Sequence, residues 1–100
     1  MSETKFTPGP WEYESHGQMI MTDNGQKMIA DIRGWGWIQY LPEGEKIQDA
    51  NGYLIAAAPD LYMVLEEVFD EVENYMERTG RSVTWGEKAK AALAKARGEA

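Results

Sequence analysis

The chain has no cysteine, which removes disulfides, thiolate metal sites and cysteine nucleophiles together and fits a reducing compartment. It has a single histidine, His16, too few imidazoles for a histidine-based zinc site. A glycine-rich phosphate loop with its lysine is missing, and so is the Gly-x-Ser-x-Gly turn of serine hydrolases. No run approaches the ~18 apolar residues of a membrane span. The opening Met-Ser-Glu-Thr-Lys-Phe-Thr lacks the basic start and apolar middle of a secretion signal. The expectation from these absences is a cytoplasmic, non-enzymatic protein with no metal, no cofactor and no membrane partner.

Basic residues are also scarce. Ten stand against seventeen acidic ones, a net charge of -7, which opposes attachment to nucleic acid phosphates and argues against direct nucleic acid binding. The charge is unevenly placed. Asp60 to Glu77 holds seven acids and no base, whereas Arg78 to the end holds six bases and two acids. Those two segments are expected to attract each other.

What is present is one domain's worth of chain. One hundred residues, 43% of them hydrophobic, can bury roughly two thirds of the surface that the unfolded chain exposes, and a single domain over 1–100 is expected. Thr7-Pro8-Gly9-Pro10-Trp11 cannot sit inside a helix or central strand, because its prolines fix φ and lack donors. Trp11, Tyr13 and Ser15 then alternate with Glu12 and Glu14, the period of a half-buried strand, and His16-Gly17 turns it. Two further strands, Met19 to Thr22 and Lys27 to Arg33, flank Asp23-Asn24-Gly25-Gln26. Asn-Gly between apolar runs predicts a hairpin, since a type I′ turn needs positive φ at both central residues. Trp37-Ile38-Gln39-Tyr40 can add a short fourth strand, which gives an antiparallel sheet of three or four strands over residues 10–41.

From Ile47 the period changes. Ile47, Ala50, Leu54 and Ala58 form one helical stripe, with Gly52 inside it, a residue that costs about 1 kcal/mol against alanine and that close packing on the sheet would explain. Pro59 suits the first turn of a new helix, with Asp60 complementing its dipole, so the pattern predicts helices over 46–58 and 60–78 meeting at a bend. The second has Leu61, Val64, Leu65, Val68, Val72, Tyr75 and Met76 on one side and Glu66, Asp70, Glu73 and Glu77 on the other, and stops at Thr79-Gly80. Thr84-Trp85-Gly86-Glu87 has capping-box spacing and predicts a third helix over 84–97. Strands first and helices later is the α+β pattern, with two or three helices packed on a small antiparallel sheet.

Thr7-Pro8-Gly9-Pro10-Trp11, Ala30-Asp31-Ile32-Arg33-Gly34-Trp35-Gly36, and Asp49-Ala50-Asn51 through Leu61 resemble a widespread family of small phage and prophage proteins. Its members share a Thr-Pro-Gly-Pro-Trp start and a helix written Asn-x-x-Leu-Ile-Ala-Ala-Ala-Pro-Asp-Leu-Leu. The likeness covers roughly residues 7 to 75. This chain departs from the pattern at Gly52 and Tyr53, where the family more often has a helix-favouring residue and a basic one. The resemblance implies a phage-encoded accessory protein that counters host defence.

The cluster Arg33-Gly34-Trp35-Gly36-Trp37, with Tyr40 behind it, is the feature that folding explains least. Glycines weaken a strand, and their alternation with tryptophans fits close approach of a backbone or a flat ligand. A nucleobase stacked on an indole, with Arg33 on a phosphate, would use these residues for their chemistry; tryptophans in the core or in a dimer contact are the plainer use of them. Arg33, Trp35, Trp37, Tyr40 and Asn51 are the candidate ligand-binding residues for a nucleotide-type immune signal, sequestered by a homo-oligomer. The alternative is an acidic inhibitor, a DNA mimic among its forms, that meets a basic host defence protein through Glu66, Asp70, Glu73 and Glu77. His16 beside Ser15 reads as a turn residue, because adjacent residues do not set a base against a nucleophile across a site. Acid pairs such as Glu66 with Asp70 or Glu67 with Glu71 read as solvated helix rather than as cation ligands.

Overall fold

A computed structural model describes residues 5–99. It is an α+β chain: three strands, β1 (Trp11–Glu14), β2 (Met19–Thr22) and β3 (Lys27–Asp31), a 3₁₀ turn over Gly36–Tyr40, then helices α1 (Gly44–Thr79) and α2 (Gly86–Ala96). The strands form an antiparallel sheet in the order β1-β2-β3. The chain divides into two compact units, one of Pro8–Asp60, the sheet unit, and one of the segment from Leu61 onward with the N-terminal stretch through Thr7, the helical unit. Helix α1 belongs to the first as far as Asp60 and to the second from Leu61.

In the sheet unit, Trp11 pairs with Thr22 and Glu14 with Met19, and the β2–β3 register shifts between Ile20 and Met21. The Asn-Gly hairpin forms as expected, with Asn24 and Gly25 both at positive φ and the Gln26 N–H donating to the Asp23 carbonyl at 3.1 Å. The β1–β2 turn is held by the Glu14 carboxylate, which accepts from the His16 and Gly17 N–H groups at 2.9 and 2.6 Å. Ile20 and Ile32 are fully buried. The Thr22 hydroxyl reaches the carbonyls of Pro8 and Pro10, oxygens that a strand ladder would otherwise satisfy.

Two expectations for this unit are corrected. Residues 36–40 form a 3₁₀ turn instead of a fourth strand, since Gly34 and Gly36 at positive φ bend the chain out of the sheet. The expected pair of helices is one helix of 36 residues with Pro59 inside it. Pro59 removes the hydrogen bond to the Ile55 carbonyl, yet its ring is buried, and a Cβ added at Gly9 would stand 3.3 Å from the Pro59 Cβ. The Pro-Gly-Pro and Ala-Pro-Asp segments therefore meet.

The packed face of α1 also differs from the expected stripe. Ile47, Ala50, Leu54 and Ala58 are exposed, while Gln48, Gly52, Ala56 and Pro59 are buried. Small residues win that face because the helix lies close: a Cβ at Gly52 would overlap the Tyr13 ring. The Tyr13 hydroxyl donates to Asp49 at 2.7 Å, and its ring meets Tyr53 edge to face at 5.0 Å.

In the helical unit, Tyr62, Glu66, Ala89 and Leu93 are buried, and Phe6 meets Tyr62 edge to face at 5.2 Å. Helix α1 ends as the sequence predicts, with Gly80 at positive φ and its N–H donating to the Met76 carbonyl at 2.8 Å. The capping box before α2 does not form. Trp85 takes the cap position and makes no side-chain capping bond.

Candidate functional site

A cleft of about 350 Å³ lies within the sheet unit, inside the size range of small-molecule sites. Three pieces of chain build it. The β1–β2 turn supplies Ser15, His16 and Gln18; the stretch after β3 supplies Gly34, Trp35, Ile38 and Gln39; the first turns of α1 supply Gly44, Glu45 and Gln48.

Hydrogen bonds to backbone fix these walls. The Ile32 N–H donates to the Gln18 carbonyl at 2.9 Å, and the buried Gln48 amide donates to the Ile32 carbonyl, so both backbone polar groups of Ile32 are used to tie α1 to the turn. Asn51 donates to Gln48 Oε1 at 3.2 Å. Gln39 donates to the Gly36 carbonyl at 3.1 Å and braces the 3₁₀ turn. A Cβ at Gly44 would overlap the Ile38 carbonyl, so glycine is required where α1 starts.

Of the five candidate ligand residues, Trp35 lines the cleft. Its indole is 47% exposed and its Nε1 donates to the Asp31 carbonyl at 3.1 Å, which pins one edge and leaves ring surface open. Asn51 stands one hydrogen bond behind the wall, through Gln48. Arg33, Trp37 and Tyr40 are not in the lining. Arg33 is instead held by Asp31, with Nη2 to Oδ2 at 2.8 Å, Nε to Oδ1 at 3.2 Å and its backbone N–H to Oδ1 at 3.0 Å. The side-chain bonds from Arg33 lower the Asp31 pKa, and the carboxylate raises that of Arg33 in return. Trp37 and Tyr40 are 69% and 82% exposed, so core packing does not account for them.

The acidic candidates separate. Asp70, Glu73 and Glu77 are exposed, whereas Glu66 is 4% exposed. Arg97 Nη2 donates to Glu66 Oε2 at 2.9 Å and Arg97 Nε to the Tyr62 hydroxyl at 2.7 Å, with the guanidinium over the Tyr62 ring at 5.7 Å. These bonds, that to Tyr62 foremost, raise the Arg97 pKa. Glu66 is thus a structural anion, and the expected attraction between acidic and basic segments is realised at that point.

Sequence reasoning missed Gln18, Gln39 and Gln48. Gln48 carries a signal in retrospect, since it shares a helical row with Gly52, Ala56 and Pro59 and is the polar member of a small-residue face. Ser15 and His16 both reach the cleft, and among the described residues no hydrogen bond joins them. The same holds for metal clusters: no group of three metal-type side chains forms among the described residues. Nor is any described helix long and apolar enough to cross a membrane. The site is a polar, amide-lined recess with one aromatic wall.

No curated relative and no solved structure matches the chain. A family model, described as Salmonella phage P22 protein Y8K6, matches residues 1–100. With that match over its whole length, the chain belongs to this phage protein family.

Proposed function

We propose that this phage-family protein is a non-enzymatic binding protein, active in the cytoplasm of the infected host, that holds the base of a nucleotide-type immune signal in the cleft and so blunts host defence. The observation that carries the reading is the half-open indole of Trp35 beside Gln18, Gln39 and Gln48. Base-on-aromatic stacking contributes about 1–3 kcal/mol per base; Gln48 and the Gln39 Nε2 are committed within the wall, so the Gln18 amide and Gln39 Oε1 are the groups that meet a base edge. The reading places less on the phosphates than the sequence implied, because Arg33 is already paired with Asp31. Self-association falls to the exposed Trp37 and Tyr40, which the cleft does not use.

The test is thermal stability with cyclic dinucleotides, cyclic trinucleotides and ADP-ribose derivatives. A ligand at a thousand times its Kd adds about 4 kcal/mol, a rise of many degrees in a chain of this size. One class should raise Tm in the wild type and in Trp37→Ala, and not in Trp35→Ala. If no compound raises it, or if Trp35→Ala responds as the wild type does, the reading fails.

A further inference from the structure

Helix α1 turns apolar residues outward in the helical unit, away from what it buries. Leu61, Val64, Val68 and Tyr75 are all exposed, Leu61 and Val64 by more than half. At 100° per residue they fall within an arc of about 60°, apart from the row of Tyr62, Glu66 and Met76 that packs inward. Spacings of three, four and seven are those of a face that receives another helix. Helix α2 is not available for it, since Ala89 and Leu93 are already buried and Arg97 is tied to Glu66 and Tyr62.

The edge of this row is acidic. Glu67 and Glu71 occupy the next arc of about 40°, with Asp70 and Glu77 beyond them and Arg78 as the one base. Among the described residues none of Glu67, Asp70, Glu71, Glu73 and Glu77 is in an ion pair; the four pairs that form lie elsewhere. We infer that the Leu61, Val64, Val68 and Tyr75 row is a docking surface for an amphipathic helix of another protein whose apolar face is bordered by lysine or arginine. A second copy fits less well. Laid parallel it sets the acidic edge of each copy against the uncharged edge of the other, near Leu65, Val72 and Met76, and leaves the carboxylates unneutralised; antiparallel about the middle of the row it brings Glu67 beside Glu71, a like-charge contact that a basic border turns into an attraction. The surface is independent of the cleft, so either can fail alone.

The probe is a fluorescein-labelled 21-residue peptide with leucine at alternating spacings of three and four and lysine on both flanks, measured by anisotropy at 50 and 300 mM salt. Two controls accompany it: the same composition with the leucines scrambled, and the same leucine face with glutamate flanks. The lysine-flanked peptide should bind, weaken at least tenfold at the higher salt, and bind at least tenfold more tightly than either control. Val64→Asp and the double variant Glu67→Lys with Glu71→Lys should each reduce binding at least tenfold while helix content and Tm are retained. Should Val64→Asp disturb the fold, Leu61→Ser serves in its place, since that side chain also faces outward. Equal binding of the scrambled peptide reduces the surface to unspecific charge and overturns the inference, and so does equal binding of the glutamate-flanked peptide. A wild-type dimer by sedimentation that Val64→Asp converts to monomer assigns the row to a second copy and overturns it as well.

Discussion

The two units keep their structure by different means. In the sheet unit, Ile20 and Ile32 are fully buried and the polar work is done by side chains that satisfy backbone: Gln48 on the Ile32 carbonyl, Thr22 on the Pro8 and Pro10 carbonyls, Glu14 on two N–H groups of a turn. In the helical unit, α1 buries a glutamate, pairs it with Arg97, and leaves Leu61 and Val64 outside. A recess with fixed polar walls suits a small ligand of defined shape. An apolar row with unneutralised acids suits a macromolecular surface.

The comparison breaks most sharply on aliphatic truncation. Ile32 is fully buried in the sheet unit, so Ile32→Ala should cost about 3–4 kcal/mol, read by urea denaturation. Leu61→Ala should change stability by less than about 0.5 kcal/mol, because that side chain is mostly in solvent already and alanine is the better helix former. Equal losses at the two positions would mean that the row on α1 is not a free surface.

The helical unit has its own weak point in Arg97. Removing the guanidinium takes the Arg97 bond from the buried Glu66 carboxylate; breaking a fully buried pair costs about 3–5 kcal/mol. Arg97 is one third exposed and water can replace part of what it gives, so Arg97→Ala should cost about 2 kcal/mol. Glu66→Gln placed in the same chain should recover part of the loss by removing the buried charge. A cost under about 0.5 kcal/mol for Arg97→Ala would reduce the pair to a surface ornament.

Much of the fold was legible because local chemistry and tertiary structure agree in particular places. Asn24-Gly25 fixes its hairpin, Gly80 stops α1, and Gly52 marks close approach to the sheet. The readings that failed share a cause. Hydrophobicity assigned the inward face of α1 to its large aliphatic residues, from Ile47 and Leu54 through Leu61 to Val68, whereas the buried row is Gln48, Gly52, Ala56, Pro59, Tyr62 and Glu66. A small-residue face lets the helix approach the sheet, and a glutamate can go inside once an arginine 31 residues away meets it; the buried row keeps helical spacing, but its residues are small or polar and carry no hydrophobic signature. The same holds for the cleft. Trp35 was visible as an aromatic between glycines, but glutamines brought from three segments have no common spacing, and the release of Trp37 and Tyr40 into solvent follows from the positive φ values of Gly34 and Gly36.

The smallest expected effect probes how α1 is fastened to β1. Burial, and then the hydrogen bond to the Asp49 carboxylate, raise the Tyr13 pKa, so the folded state favours the neutral phenol more than the unfolded chain does. A group whose folded pKa is raised contributes stability that is complete below the unfolded value, about 10 for tyrosine, and that is lost as pH climbs from there toward the folded value. Stability set by Tyr13 should therefore be flat through neutral pH and decline above about pH 10. Tyr13→Phe keeps the ring against Gly52 and Tyr53 and loses the bond to Asp49, about 1 kcal/mol near neutral pH. The variant should also lose stability less steeply above pH 10, so that its deficit against the wild type narrows as the solution becomes alkaline. A deficit that stays constant to pH 11, followed by denaturation at fixed urea, would show that the hydroxyl is not what fastens the helix and that ring packing on Gly52 is sufficient.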